Sequence, residues 1–147
     1  MILLVDITPE NHNECVSLSV APEQKGFEAA NRDSLAEASV EAGFHPVGIS
    51  NDGQLVGFAM YGYHSDEDQS WIVRFMIDAA HQRQGYGVDA LGQLIQLLST
   101  KYPESAIRLC VEPENEVAIR FYRHHGFQPT GAQWGNEMIF ERKACGY

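Results

Sequence analysis

Two stretches of this sequence hold residues whose types and spacing suit chemistry. Gln82-Arg83-Gln84-Gly85-Tyr86-Gly87 sets two glycines one residue apart at the mouth of a long apolar-striped segment. Glycine there lets backbone N–H groups approach a ligand closely, and the positive end of a helix starting near Gly85 favours an anion. The second stretch, Val111 to Gly131, spaces Asn115, Ala118 and Tyr122 three and four residues apart. At about 100° per residue the three share one helix face, with a small residue leaving room between two polar ones. A half-buried core tyrosine is the plainer reading of Tyr122 taken alone.

The glycine loop admits several readings. A nucleotide P-loop needs a lysine for the phosphates and a hydroxyl for magnesium after its second glycine, and this loop has neither. A dinucleotide fingerprint is met in part by Gly85, Gly87 and Ala90, with Glu112 ending a later strand. That fold runs its strand almost directly into the first glycine, whereas Asp78 to Gln84 insert seven residues here. A run of backbone N–H groups curling into a helix N-terminus accounts for both the glycines and the gap, and would hold a pyrophosphate without metal or lysine. Close helix–strand packing is the ligand-free alternative.

The elements that must position these residues follow from periodicity. Ile2 to Ile7 reads as a strand ended by Thr8-Pro9, before a helix carrying Cys15, Val16 and Leu18. Asn31 or Asp33 caps a helix running to Glu41 and stopped by Gly43. His45 to Ser50 and Gln54 to His64 flank Asn51-Asp52-Gly53, a strong hairpin signal. After the polar loop Ser65 to Ser70 comes a strand from Trp71 to Ile77. The helix beyond Gly85 puts Val88, Leu91, Ile95 and Leu98 on one stripe and ends at Tyr102-Pro103. Ala106 to Val111 is a strand, Asn115 to His125 a helix closed by Gly126, with His124 and His125 at its C-terminal end, and Phe127 to Thr130 and Glu137 to Arg142 are the last strands. The expected class is a mixed α/β (α+β) chain: an antiparallel front half, then strand-helix-strand-helix-strand.

Composition narrows the function. A chain of 147 residues fits one domain over 1–147, and its apolar runs fall short of a membrane span. Five apolar residues before Asp6, with no basic lead, do not make a signal peptide, so a cytoplasmic location is expected. A net charge of −10 argues against nucleic-acid binding and favours a cationic small molecule or plain solubility. Three scattered cysteines support neither a disulfide framework nor a zinc site, and the histidines show no ligand spacing; no metal is expected.

Together, the Gln82–Gly87 loop and the stretch from Asn115 through Tyr122 to Phe127 resemble the two central motifs of the GNAT superfamily of N-acetyltransferases. The resemblance covers about residues 45 to 142 and implies a mixed, mostly antiparallel sheet with flanking helices and splayed central strands that open a cleft at Ile77 and Val111. It implies acetyl-coenzyme A as cofactor: Phe75, Met76 and Ile77 pairing with its pantetheine arm, Gln82, Arg83, Gln84, Gly85, Tyr86, Gly87 and Val88 around its pyrophosphate, Asn115 on the arm and Tyr122 as general acid. A tyrosine pKa near 10 suits protonation of a thiolate of similar basicity. The stretch from Ser19 to Ala38 resembles a bacterial spermine/spermidine or diamine acetyltransferase subgroup, which implies a polyamine acceptor met by Gln24, Phe27, Glu28 and Glu37. Glu28 or Asp66 could act as base, with His64 a further candidate. Glu23, Glu41 and the Asp66-Glu67-Asp68 cluster would border the acceptor side. The resemblance also allows a homodimer through the last strand, or a non-catalytic acyl-CoA-binding module.

Overall fold

Alternating and continuous apolar runs build one sheet, with helices laid on both of its faces. The computed structural model describes residues 1–20, 31–40 and 43–144. The elements are β1 (Ile2–Asp6), α1 (His12–Ser17), α2 (Asn31–Val40), β2 (Phe44–Asn51), β3 (Gln54–His64), β4 (Gln69–Ile77), α3 (Tyr86–Lys101), β5 (Ala106–Val111), α4 (Glu116–His124), β6 (Gln128–Trp134) and β7 (Glu137–Arg142). A 3-10 turn, Ala79–His81, stands between β4 and α3. The sheet order is β1-β2-β3-β4-β5-β7-β6, and every neighbouring pair is antiparallel except β4 with β5. The mixed, mostly antiparallel class expected from the sequence is the one observed.

The Asn51-Asp52-Gly53 signal forms the β2–β3 hairpin, with Asp52 at φ 51° and Gly53 at φ 88°. Both values suit the type I′ turn that Asn-Asp-Gly favours. Gly57 on β3 faces Ile77 across the ladder, where a Cβ would run into the carbonyl of Met76. Glycine is therefore required for β3 to close on the end of β4.

Two cores result. One contains Leu91, Leu94, Leu98, Ile72, Phe75, Leu109, Tyr122 and Phe127 with the α3 side of the sheet. The other joins Cys15, Leu18 and Val20 to Leu55, Phe58, Met60 and Met76. Glu14 of α1 ties this second layer to the sheet by accepting from the Leu55 N–H at 2.9 Å. The buried face of α3 is Ala90, Leu91, Leu94, Ile95 and Leu98. Each fully buried leucine there stabilises by about 1.5–3 kcal/mol.

The structure shifts several expected boundaries. Val88 is 54% exposed and belongs to neither core, although Tyr86 and Ala90 on either side of it pack against the sheet. β4 begins at Gln69, two residues before the expected Trp71, and β6 continues to Trp134. Asn31 opens α2 but points inward, its amide donating to the Cys15 carbonyl at 2.8 Å.

Candidate active site

The site begins where β4 parts from β5. The two pair in parallel only at Gln69–Ala106, Ser70–Ile107 and Trp71–Arg108. Beyond Trp71, β4 stays bonded to β3 but, among the described residues, offers its other edge to no strand. Within that unpaired length lies a bulge: Met60 opposes Arg74 while Tyr61 opposes Ile72, so Val73 is an extra residue on β4. A bulge bends its strand and increases local twist, which helps carry the end of β4 away from β5.

Phe75, Met76 and Ile77 form one wall of the resulting cleft, whose volume is about 570 Å³. That lies within the range of small-molecule and cofactor sites. The arch after β4 is pinned at both ends: Gln82 Nε2 donates to the Ile77 carbonyl at 2.9 Å, and Asp78 accepts from the Ala80 N–H at 3.3 Å. Arg83 takes a left-handed conformation at φ 65°, and Gly85 does so at φ 81°.

Gly85 is the N-cap of α3 and supplies no side-chain cap. The first helical bond runs from the Asp89 N–H to the Gly85 carbonyl at 3.3 Å, so the N–H groups of Tyr86, Gly87 and Val88 have no helical acceptor. They gather at the positive end of a 16-residue helix. Among the described residues a Cβ built on Gly85 meets no atom within 4 Å, and one on Gly87 comes nearest to Phe121 at 3.5 Å and Ile77 at 3.7 Å, ordinary contact distances. Packing therefore requires neither glycine; at Gly85 the left-handed φ favours glycine by itself, whereas at Gly87 neither backbone nor packing does. The cradle a side chain would enter suits an anionic group held by backbone N–H donors.

α4 forms the facing wall. Asn115 is its N-cap, the side-chain oxygen accepting from the Ala118 N–H at 3.3 Å. Asn115, Ala118 and Tyr122 all line the cleft, as one shared helix face requires. Tyr122 is 9% exposed, its ring edge-on to Phe121 at 5.4 Å and to Phe127 at 5.8 Å. At the other end of α4, His125 Nδ1 lies 2.8 Å from the Phe121 carbonyl, where its N–H donates to a helix-terminal oxygen.

Residues 4–127 match the model of the Acetyltransferase (GNAT) family. The chain belongs to this family. It is 34% identical over 131 residues to the spermine/spermidine N(1)-acetyltransferase of Bacillus subtilis, covering 85% of this chain and 86% of that protein. A mycothiol acetyltransferase of Mycobacterium is 33% identical over 116 residues, covering 72% of this chain and 37% of that protein. Among solved structures, the PaiA N-acetyltransferase of Thermoplasma acidophilum in complex with coenzyme A superposes with a TM-score of 0.75 at 16% identity, covering 97% and 99% of the two chains. The ribosomal-protein-S18-alanine N-acetyltransferase of Escherichia coli superposes with a TM-score of 0.74 at 16% identity, covering 98% and 94%. The chain is thus a GNAT N-acetyltransferase in family and fold.

In this GNAT chain the cleft gathers nearly all the residues expected at the cofactor: Phe75, Met76, Ile77, Gln82, Arg83, Gly85, Tyr86, Gly87, Val88, Asn115 and Tyr122. Gln84 is exposed and stands off it. Asp66 sits in the β3–β4 turn, at the opposite end of β4 from Ile77, and does not line the cleft. Glu37 falls within α2, while Gln24, Phe27 and Glu28 lie outside the described residues. Val20, His81 and Arg120 also line the cleft and carry no motif signal of their own, whereas Phe121, which lines it too, lies within the Asn115–Phe127 motif. Phe121 was findable, being three residues after Ala118 on the same helix face. Among the described residues no group of three His, Cys, Asp or Glu could hold a metal ion, and no helix is long and apolar enough to cross a membrane.

Proposed function

We propose that this chain transfers an acetyl group from acetyl-coenzyme A to a primary amine of a small cationic acceptor, a polyamine or diamine. The observation that carries the reading is the parting of β4 from β5 beyond Trp71, facing the uncapped N-terminus of α3. Acetyl-coenzyme A supplies a thioester whose carbonyl carbon is the electrophile and whose sulfur leaves. The residues of this chain do the rest.

The N–H groups of Tyr86, Gly87 and Val88 hold the pyrophosphate at the positive end of α3, with Arg83 beside them. The free edge of β4 at Phe75 to Ile77 takes the pantetheine arm as an added strand, and its N–H groups support negative charge developing on the carbonyl oxygen. The Asn115 side chain contacts the arm. Tyr122 donates its phenolic proton to the leaving sulfur, and the packing of its ring against Phe121 and Phe127 fixes the direction of donation. The amine attacks directly with both substrates bound. In support, no cysteine or serine lines the cleft among the described residues. Glu28 takes the amine proton, or Asp66 does so through a chain of water, since Asp66 does not itself line the cleft.

The net charge of −10 and the 34% identity to a spermine/spermidine N(1)-acetyltransferase support a polyamine acceptor. The test is release of free thiol from acetyl-coenzyme A across a panel of spermidine, spermine, diamines, amino acids and peptides. Fastest turnover with polyamines is expected. Turnover only with peptides refutes the acceptor, and cofactor binding without any turnover refutes catalysis.

A further inference from the structure

We propose that Asp78 is a positioning residue that locks the segment after α1 to the cofactor arch, so that the two sides of the cleft mouth are set together; this rests on reading the cleft as the acetyl-coenzyme A site. Asp78 follows the last residue of β4 and does not itself line the cleft. Its N–H donates to the Val56 carbonyl of β3 at 2.8 Å. Its Oδ1 accepts from the Ser19 N–H at 2.8 Å, and its Oδ2 from the Ala80 N–H at 3.3 Å. The next residue completes the clamp, the Ala79 N–H donating to the Ser19 carbonyl at 2.8 Å. Ser19 is therefore held by both of its backbone groups, 59 residues away in sequence from the carboxylate that binds it.

Within the 3-10 turn the Asp78 carboxylate caps Ala80 and the Ser19 carbonyl satisfies the first N–H, that of Ala79; the bond from the Ser19 N–H to Asp78 Oδ1 contributes nothing to that turn. The two bonds to Ser19 fix Val20, which lines the cleft beside Met76 and packs with Met76 and Leu18 in the second core. From the same carboxylate the 3-10 turn runs to His81 and Gln82, which line the cleft on the arch side. One ionised side chain thus joins a wall of the mouth to the loop that cradles the phosphates, through hydrogen bonds of the charge-assisted kind. Tyr122 stands on α4, outside this clamp, so binding is expected to suffer more than the chemical step.

The experiment compares Asp78→Ala, Asp78→Asn and Ser19→Pro with the wild type, well below their melting temperatures, by calorimetric titration with coenzyme A and by steady-state kinetics with spermidine. Asp78→Ala is expected to raise both the Kd for coenzyme A and the KM for spermidine about tenfold, with kcat changed less than threefold. Asp78→Asn keeps one carbonyl oxygen for the Ser19 N–H and recovers part of both losses. Ser19→Pro deletes that N–H and leaves Asp78 in place; Leu18, at φ −74° and ψ 143°, already has the conformation a residue before proline prefers. It is expected to raise both constants as well, and it decides the question if Asp78→Ala does not fold. Unchanged Kd and KM, or a fall in kcat alone, overturns the inference. Wild-type protein that binds no coenzyme A overturns the cofactor reading and the inference with it; equal binding by wild type and variants overturns the inference alone.

Discussion

Replacing Gly87 with alanine separates the two explanations of the glycine loop, because they predict effects of different kind. Gly87 lies in the first turn of α3 with ordinary helical φ, and its added Cβ would sit 3.5 Å from Phe121 Cζ and 3.7 Å from Ile77 Cγ1. No protein atom has to move. Glycine inside a helix is less stable than alanine by about 0.5–1 kcal/mol, so the free protein should gain up to that amount. For a chain of this size that is a rise in Tm of about 1–4 °C. Cofactor binding should move the other way, since the methyl enters the cleft between the α3 N–H groups and Phe121. Loss of one charge-assisted hydrogen bond costs about 1.5–3 kcal/mol, which weakens binding about 10- to 100-fold. Thermal unfolding without ligand and calorimetric titration with coenzyme A read the two effects separately. A lowered Tm would show that packing, not a ligand, requires the glycine, and unchanged affinity would remove Gly87 from the cradle. Gly85→Ala is the control of opposite sign: at φ 81° it should cost about 1–2 kcal/mol of stability although its Cβ meets nothing.

Tyr122→Phe keeps the ring contacts with Phe121 and Phe127 and removes only the hydroxyl, so kcat should fall about 10²- to 10⁴-fold while coenzyme A affinity stays within about threefold; equal turnover would remove the phenol from proton transfer. Asn115→Ala deletes the cap on Ala118 and should cost about 1 kcal/mol, read as a fall in Tm of about 2–4 °C, together with weaker coenzyme A binding. Cys15 is fully buried, and burial first, then the neighbouring Glu14 charge, pushes its thiol up to about 11. Because the folded value lies above the ordinary one, its contribution to stability is complete below about pH 9 and is lost as pH rises through about 11. Cys15 should accordingly resist a thiol-alkylating reagent at pH 8 until the protein unfolds, and rapid labelling of the native chain would contradict its placement.

The parts of the site legible in the sequence are those fixed by local rules. Gly85 and Gly87 announce close backbone approach at a helix start, and the 3- and 4-residue spacing from Asn115 to Tyr122 a shared face, and each depends on a few neighbouring residues; the left-handed φ of Gly85 and the N-cap role of Asn115 emerge in the structure. Features that depend on pairing between distant strands were hidden. The extra residue at Val73 is a mismatch between β3 and β4, and nothing within "WIVRFMI" marks it. Val88 marks another limit: apolar period identifies a helix face, but not which of its positions the sheet covers. Asp78 reads as one acid in a loop until the backbone of Ser19 arrives beside it.

A chain of net charge −10 that takes a polyanionic cofactor presents a conflict; Glu114 and Glu116 line the cleft on its α4 side, whereas the acidic β3–β4 turn is kept from the cradle by distance. The nine residues of β4 from Gln69 to Ile77 separate the Asp66-Glu67-Asp68 turn from the cradle by about 26 Å, at about 3.3 Å per step. The Debye length is about 8 Å at physiological ionic strength, so the acidic turn acts on the cradle across about three screening lengths. At the cradle itself the N–H groups of α3 and Arg83 act in contact, where screening is weak. A cationic acceptor, in contrast, is drawn by the diffuse field of the whole acidic surface, which salt removes. Raising ionic strength from about 50 to about 500 mM, across which the Debye length falls about threefold, should therefore raise the KM for spermidine several-fold and move the Kd for coenzyme A less. The reverse order, with the cofactor constant moving more than the amine constant, would mean that remote charge governs the cradle and that the backbone donors at Tyr86, Gly87 and Val88 do not.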